Sequence, residues 1–175
     1  MSWTRDTIRL IAGHISTRSR KWIRVLHLLS AGLWIGGTAA LTSVICLFHP
    51  QSPAELLAQN RILMTIDFFI IAPGALGCLA SGILYARRTP YGFLRFRWII
   101  AKWLVNIGFI VFGGLVVVPW LERGIARSLA IQDIPTETWS IIGMHLTVNT
   151  LQWATIILVV IISVFKPWGR TRFDL

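Results

Sequence analysis

Four long apolar runs dominate this chain and leave little of it for other structure. They cover residues 22–47, 62–85, 98–120 and 139–165, and each is long enough to cross ~30 Å of hydrocarbon at ~1.5 Å of helical rise per residue. In a chain of 175 residues with 55% apolar composition, the connections are too short for a soluble domain. The sequence therefore predicts an all-α fold, an integral membrane four-helix bundle that forms one domain.

Positive charges are distributed unevenly among the ends of these runs. Of 17 Lys and Arg residues, six lie before or at the start of the first run, four in the second connection and three after the last run. The first and third connections together carry only three, which are Arg61, Arg123 and Arg127. Because cytoplasmic segments of membrane proteins carry an excess of Lys and Arg, both termini and the middle connection are predicted to face the cytoplasm, with the chain in the cell membrane.

The remaining global features narrow the function classes. Ile8, Ile11 and Ile15, with arginines around them, predict a short N-terminal helix that lies on the membrane surface. The net charge of +10 is concentrated at the ends of the runs, where contact with anionic lipid explains it, so no nucleic-acid partner is expected. Cys46 and Cys78 stand alone, and their spacing predicts neither a disulfide nor a redox motif.

Small residues at four-residue spacing predict where helices approach one another closely. They form two stripes, which are Gly32, Gly36 and Ala40 on the first run, and Gly74, Cys78 and Gly82 on the second. Both stripes are interpreted as packing surfaces.

His27 and Lys102 are ionisable residues inside the first and third runs. Counted from Trp22 and Trp98, each lies ~6–8 Å inside the hydrocarbon boundary, and the predicted orientation places both in the inner leaflet. Ionisable groups at such positions mark function by default, and a neutral imidazole is a good axial ligand for haem iron. Lys102 would then neutralise a haem propionate, ligate the iron or move protons. The alternative is that His27 hydrogen-bonds a neighbouring carbonyl and Lys102 extends to lipid phosphates.

Two further residues belong to the candidate cofactor site by position. Trp34 shares a helical face with His27, and Asn106 lies one turn beyond Lys102. Both are therefore included as candidate cofactor-binding residues.

A second group of polar residues falls on the predicted outer side. His145, Asn149 and Gln152 follow i, i+4, i+7 spacing on the fourth run, and Asp67 and His49 lie near the outer ends of the second and first runs. One interpretation is proton movement or a metal site that uses His145, with His49 as a weaker ligand. The other is hydrogen bonding between helices, with His49 solvated at a helix end.

Several residues recur in a recognisable order from the first run to the last. They are His27, Trp34, Gly37 and His49, then Arg61-Ile-Leu, Asp67 and Pro73-Gly74, then Trp98 and Lys102, then Asn149 and Lys166-Pro167. In this order they resemble the HemJ-type membrane protoporphyrinogen oxidases. The segment from His27 to Gly37 is also similar to the copper resistance protein D family and to its uncharacterised small relatives.

The resemblance implies a haem b protein. His27 matches the haem-linked histidine of the HemJ type, Lys102 its functional lysine and Asp67 an acidic position, which makes Lys102 and Asp67 candidate catalytic residues. The chain departs from that pattern at Gly113, where the family carries a histidine, and at Thr150, where it carries a glutamate. The implied haem binding survives these departures better than the implied oxidase activity.

Three functions remain open from the sequence. The first is a haem b membrane redox protein that transfers electrons or oxidises a quinone or porphyrin-like substrate. The second is copper transport or handling, and the third is a structural subunit without a cofactor; homo-oligomerisation is open for all three. Soft sulfur ligands that select Cu(I) are few, with three Met and two Cys in the chain, and this favours haem over copper.

Cysteine labelling tests the predicted orientation. In a background with Cys46 and Cys78 replaced by alanine, Ser2→Cys should be shielded from an impermeant thiol reagent added to intact cells, whereas Gln132→Cys should react. The expectation follows from thirteen positive residues on one side against three on the other. The reverse labelling pattern would exchange the inner and outer assignments.

Overall fold

The computed structural model describes residues 17–87, 96–135 and 137–165, which form four long helices. In chain order they are α1 (Thr17–Leu47), α2 (Pro53–Arg87), α3 (Arg97–Ala130) and α4 (Glu137–Phe165). Each contains a stretch long and apolar enough to cross a membrane. The predicted all-helical class and the four apolar helices are thus confirmed, while the predicted N-terminal surface helix lies outside the described residues.

α2 and α3 extend furthest beyond the apolar runs that predicted them, and α1 begins at Thr17, five residues before its run. α2 begins at Pro53, where the Ser52 hydroxyl accepts a hydrogen bond from the Glu55 N–H and the missing N–H of proline costs nothing. α3 continues past residue 120 to Ala130. The predicted bounds were too short here because an apolar pattern does not detect the polar ends of a helix.

α2 and α3 each contain a five-residue π-helical segment shortly before a proline. The segments are Asp67–Ile71, before Pro73, and Gly113–Val117, before Pro119. In both, the residue preceding the proline donates its N–H to the carbonyl five residues back. A proline inside an α-helix clashes with the carbonyl four residues before it, and the wider π turn accommodates that clash. The two helices therefore continue through their prolines.

Neighbouring helices run in opposite directions. His27 pairs with Ser81 and Gln59 with the Phe48 carbonyl, which sets α1 antiparallel to α2. α1 and α3 begin at the same end of the molecule, and α2 and α4 end there. We call this the basic end, because its arginines and lysine include Arg18, Arg20, Lys21, Arg24, Arg87 and Arg97. The opposite end is the far end.

Glycines permit a close approach between α1 and α2. A Cβ added to Gly74 would lie 2.7 Å from a backbone nitrogen of α1, and one added to Gly37 would lie 2.8 Å from the Ile71 side chain. A Cβ on Gly32 or Gly36 would meet no atom within 4 Å. The stripe predicted on the second run is thus a contact surface at Gly74. The stripe predicted on the first run was wrong, because it lies on the exposed face of α1 and the contact uses Gly37.

The outer surface of the described structure is largely apolar, and its interior mixes apolar with polar side chains. Several of the most buried side chains are polar, namely Ser30, Thr38, Gln59, Ser81, Ser128 and Asn149. Many large apolar side chains point outwards, among them Leu28, Phe69, Leu104, Leu115, Leu151 and Val164. Small polar residues between helices and apolar residues on the outer surface are the pattern of helices that pack within lipid.

Asn149 connects α4 to α1 through its side-chain amide. Its Nδ2 donates hydrogen bonds to the Thr38 carbonyl at 3.2 Å and to the Thr42 hydroxyl at 2.5 Å. Of the two interpretations open for the outer polar group, Asn149 fits hydrogen bonding between helices.

Replacing Gly74 by alanine should destabilise the fold. The new Cβ would meet the backbone of α1, which cannot move aside without separating the helices, and a cost of about 1–3 kcal/mol is typical of such overpacking. Thermal unfolding of the detergent-purified protein measures the loss. Gly32→Ala is the matched control, because its Cβ meets nothing, and it should unfold at the same temperature or a higher one. Equal stability loss in both variants would contradict the close contact at Gly74.

Candidate functional site

A cavity of about 610 Å³ lies between the helices toward the basic end. His27 and Trp34 of α1 line it together with Lys102 and Asn106 of α3. Residues of α2 and α4 complete the wall, among them Ser81, Tyr85, Ile156 and Ser163. The volume lies within the ~300–1,000 Å³ typical of cofactor and ligand sites. The structure thus brings the four candidate cofactor-binding residues into one cavity.

His27 is held by Ser81 of the adjacent helix. Its Nδ1 lies 2.8 Å from the Ser81 hydroxyl, which in turn contacts the Gly77 carbonyl at 2.6 Å and the Cys78 carbonyl at 3.2 Å. Carbonyl oxygens only accept, so the single hydroxyl proton is directed to the carbonyls of α2. The hydroxyl oxygen therefore accepts from the Nδ1–H of His27. This arrangement leaves Nε2 as the ring nitrogen that carries the lone pair.

The close contact between α1 and α2 explains why this hydrogen bond forms. Ser81 is fully buried, with 0% of its surface exposed, and lies two turns beyond Gly74 on α2. Because α1 approaches α2 at Gly74, the imidazole reaches the hydroxyl directly. A histidine held in one tautomer by a hydrogen bond to its other nitrogen is the arrangement of metal-ligating histidines.

Two buried polar atoms in the cavity wall have no hydrogen-bond partner within the described residues. They are the indole Nε1 of Trp34 and the amide Oδ1 of Asn106. The Trp34 ring packs edge-on against Phe109 at 5.9 Å, and the Asn106 Nδ2 lies 3.5 Å from the Ala75 carbonyl. Unsatisfied buried groups are costly, so these two atoms mark a part of the wall in which the described residues leave polar groups without partners.

Cations and aromatic rings surround the part of the cavity nearest the basic end. The Arg24 guanidinium donates to the Tyr85 hydroxyl at 3.1 Å, and the Lys102 ammonium lies 4.9 Å from the centre of the Trp98 ring. No aspartate or glutamate lines the cavity in the part of the chain that the structure describes. The wall is therefore apolar with a positive end, which suits a largely apolar ligand that carries carboxylates.

The outer candidates are not brought together. His145 stacks on Trp120, with ring centres 4.6 Å apart, and lines a second cavity at the far end. Asp67 is half-buried at the start of the π segment of α2, and His49 is exposed just beyond α1; neither lines either cavity. Among the described residues no group of three or more His, Cys, Asp or Glu side chains is arranged to hold a metal ion. Asp67 is also separate from Lys102, the other candidate catalytic residue.

Sequence reasoning missed Ser81, Tyr85 and Arg24 as members of the site. Ser81 and Tyr85 are spaced i, i+4 on α2, so they share a helical face, and that spacing is the signal that was available. Nothing in the sequence pairs this face with His27, because a serine within an apolar run is most often bonded to its own helix. The pairing becomes visible only when the contact between α1 and α2 is known.

Comparison with known proteins finds no matching family model, no matching curated protein and no matching solved structure. A functional conclusion for this chain therefore rests on the chemistry of the site.

Removing the Ser81 hydroxyl should release the His27 tautomer. In protein labelled with ¹⁵N-histidine, NMR should show His27 predominantly as Nδ1–H, and Ser81→Ala should shift the tautomer ratio about fivefold toward Nε2–H, in keeping with the ~1 kcal/mol of one hydrogen bond. Ser163→Ala is the matched control, because Ser163 lines the same cavity but donates to the Val159 carbonyl of its own helix. A wild-type protein in which Nε2–H dominates would contradict the assigned tautomer.

Proposed function

We propose that the chain is an integral membrane protein that binds haem b and acts in electron transfer or substrate oxidation. Membrane insertion is supported by the four apolar helices and by the many large apolar side chains on their outer surface. The charge bias supports a basic end in the cytoplasm and a far end outside it. The cavity then lies toward the inner leaflet, with the lipid bilayer around it.

The observation that carries the haem proposal is the hydrogen bond from His27 to Ser81. This hydrogen bond holds the imidazole proton on Nδ1. Nε2 can therefore bind iron without a change of tautomer. A haem needs only one or two protein ligands, because the macrocycle supplies the other four. The proposal therefore does not require the cluster of ligating side chains that a copper or zinc site needs.

The rest of the cavity fits the same group. Apolar wall residues accommodate the macrocycle, while Lys102 and Arg24 supply positive charge for its carboxylates. The Trp34 indole N–H is a buried donor without a partner among the described residues. When bound, haem supplies one-electron oxidation and reduction, and its potential depends on the axial ligand and on burial. The residues of this chain bind the group, orient His27 and exclude water.

Copper handling receives less support. The thiol of Cys78 lies 4.0 Å from the His27 carbonyl, but Cys46 and Met144 are exposed elsewhere, and no group of three His, Cys, Asp or Glu side chains arranged for a metal occurs within the described ranges. A structural subunit without a cofactor gives no account of a cavity of about 610 Å³ that is lined by His27 and Lys102.

Optical spectroscopy of the purified protein reconstituted with haem b tests the proposal. The wild type should show a Soret band, His27→Ala should lose or shift it, and Ser81→Ala should weaken haem affinity about tenfold, the lower end of the range for residues that support a metal ligand. Lys102→Met keeps much of the apolar stem and removes the charge. If this variant changes the redox potential but not the ligand-field spectrum, Lys102 contacts a haem propionate. If it changes the low-spin spectrum, Lys102 is a ligand of the iron.

The control variant is His49→Ala, which removes an exposed imidazole outside the cavity and should bind haem as the wild type does. Added imidazole should restore the Soret band to His27→Gly, which separates loss of a ligand from loss of folding. Wild-type protein that shows no Soret absorbance, even after expression with a haem precursor, would exclude the proposal and favour copper handling.

A further inference from the structure

The cavity that His27 and Lys102 line has an exposed border between α1 and α4. Among the described residues of its wall, three are exposed, which are Arg24, Leu28 and Val160. Leu28 of α1 has 70% of its surface exposed, and Val160 of α4 has 44%. A side chain that lines a cavity and is also exposed marks a place where the cavity opens outwards.

The two apolar residues of this border lie on the helix faces through which α1 and α4 contact each other. Asn149 donates to the Thr38 carbonyl and the Thr42 hydroxyl, which places that contact in the far half of both helices. Val160 lies eleven residues after Asn149 and so within about 20° of it around α4. Leu28 lies fourteen residues before Thr42 and so within about 40° of it around α1. The two helices therefore touch in the far half and separate toward the basic end.

Leu28 and Val160 border the opening at the same level. Measured along the helices from the contact between Asn149 and Thr38, Leu28 lies ~15 Å and Val160 ~16 Å toward the basic end. In the orientation proposed above, this level falls within the hydrocarbon of the inner leaflet, beside His27. We call the opening between Leu28 and Val160 the lateral gap.

The described wall is more closed in the other directions. Trp34 and Ile156 form its floor toward the far end, and both are buried. Toward the basic end, the Arg24 guanidinium donates to the Tyr85 hydroxyl and lies over the Tyr85 ring, which joins α1 to α2. Arg24 also lies one turn from Leu28 on the same face of α1. The lateral gap therefore extends along α1 from the hydrocarbon toward the level of the lipid headgroups.

We propose that the ligand of this cavity enters it sideways from the inner leaflet, through the lateral gap. The inference rests on the membrane insertion proposed above, and its ligand is an amphipathic, carboxylate-bearing molecule dissolved in lipid, which is haem b under the proposed function. Such a molecule keeps its apolar body in the hydrocarbon and its carboxylates at the headgroups, because an ionised carboxylate is costly to place in hydrocarbon. The cavity has the same order, with apolar wall beside Leu28 and cations toward the basic end. Sideways entry therefore requires no carboxylate to cross the hydrocarbon.

A membrane-soluble photoreactive probe tests the lateral gap without the use of haem. The probe is a (trifluoromethyl)phenyldiazirine, added to phosphatidylcholine vesicles that contain the protein. Illumination converts it to a carbene that inserts into nearby side chains, and mass spectrometry maps the adducts. Ile156, on the cavity floor with 7% exposure, should be labelled. Ile71 is the matched control, because it has 6% exposure but lines neither cavity, and it should remain unlabelled.

Bulky substitutions at the lateral gap should close this route. Leu28→Trp combined with Val160→Trp places two indoles in the gap, and the label on Ile156 should be lost. Leu29→Trp combined with Leu158→Trp is the control, because both residues are exposed near the same level but line neither cavity. The control variant should keep the label on Ile156. Thermal unfolding of both variants verifies that they are folded.

The kinetics of haem binding test the same route with the proposed ligand. In Leu28→Trp/Val160→Trp, the Soret band should develop roughly tenfold more slowly than in the wild type, and haem should also be released roughly tenfold more slowly. An obstruction on the route raises the barrier in both directions, so the dissociation constant should be unchanged. Slower uptake with unchanged release would be a loss of affinity and would contradict an obstruction.

Phe69 separates this inference from the proposed function, because it is exposed on the outer surface of α2 and lines neither cavity. Label on neither Phe69 nor Ile156 would refute membrane insertion and the inference together. Label on Phe69 without label on Ile156 would overturn the lateral gap alone. Equal labelling of Ile156 in the gap variant and the control variant would also overturn it and assign entry to the basic end. Labelled Ile156 in a protein that shows no Soret band would support sideways entry and refute the haem proposal.

Discussion

The approach of α1 to α2 at Gly74 is the contact on which the rest of the candidate site depends. In the proposed membrane environment, helices gain little from burying apolar side chains, so their association relies on close backbone packing and on hydrogen bonds between them. Gly74 supplies the first and Ser81 the second. A larger residue at Gly74 would separate the helices, and the imidazole of His27 would then lose the partner that fixes its tautomer.

The level of a residue along its helix was predictable from the sequence. The side of the helix on which the residue lies was only partly predictable. His27 and Lys102 were placed at one level by counting residues from the ends of the apolar runs, and they do line one cavity. The glycine stripe on α1 was assigned to the wrong face, since small residues occur on exposed helix faces as well as in contacts. Ser81 had no signal of its own, because its role requires the position of a second helix.

The far end was the least predictable part of the molecule, because polar residues form much of it. Its cavity is built from the polar extensions of α2 and α3, which an apolar pattern excludes, and from His145, which the sequence grouped with Asp67 and His49. Along α1, Trp34 borders the first cavity and Ile45 the second, with buried Thr38 and Leu41 between them. The eleven residues from Trp34 to Ile45 correspond to ~16 Å of helix, so these are two separate cavities.

The π segments determine how α2 and α3 each line both cavities. A π segment accommodates one extra residue in a turn, which rotates everything beyond it by about 100° relative to an uninterrupted α-helix. The two halves of α2, on either side of Asp67–Ile71, therefore have independent facing directions, and so do the two halves of α3 on either side of Gly113–Val117. A helical wheel drawn through the whole of α2 would place Gln59 and Ser81 incorrectly relative to each other. Each half of the helix therefore needs its own helical wheel. Deleting one residue within a π segment would rotate one half of the helix relative to the other, and so one cavity wall relative to the other, without changing the residues that line either cavity.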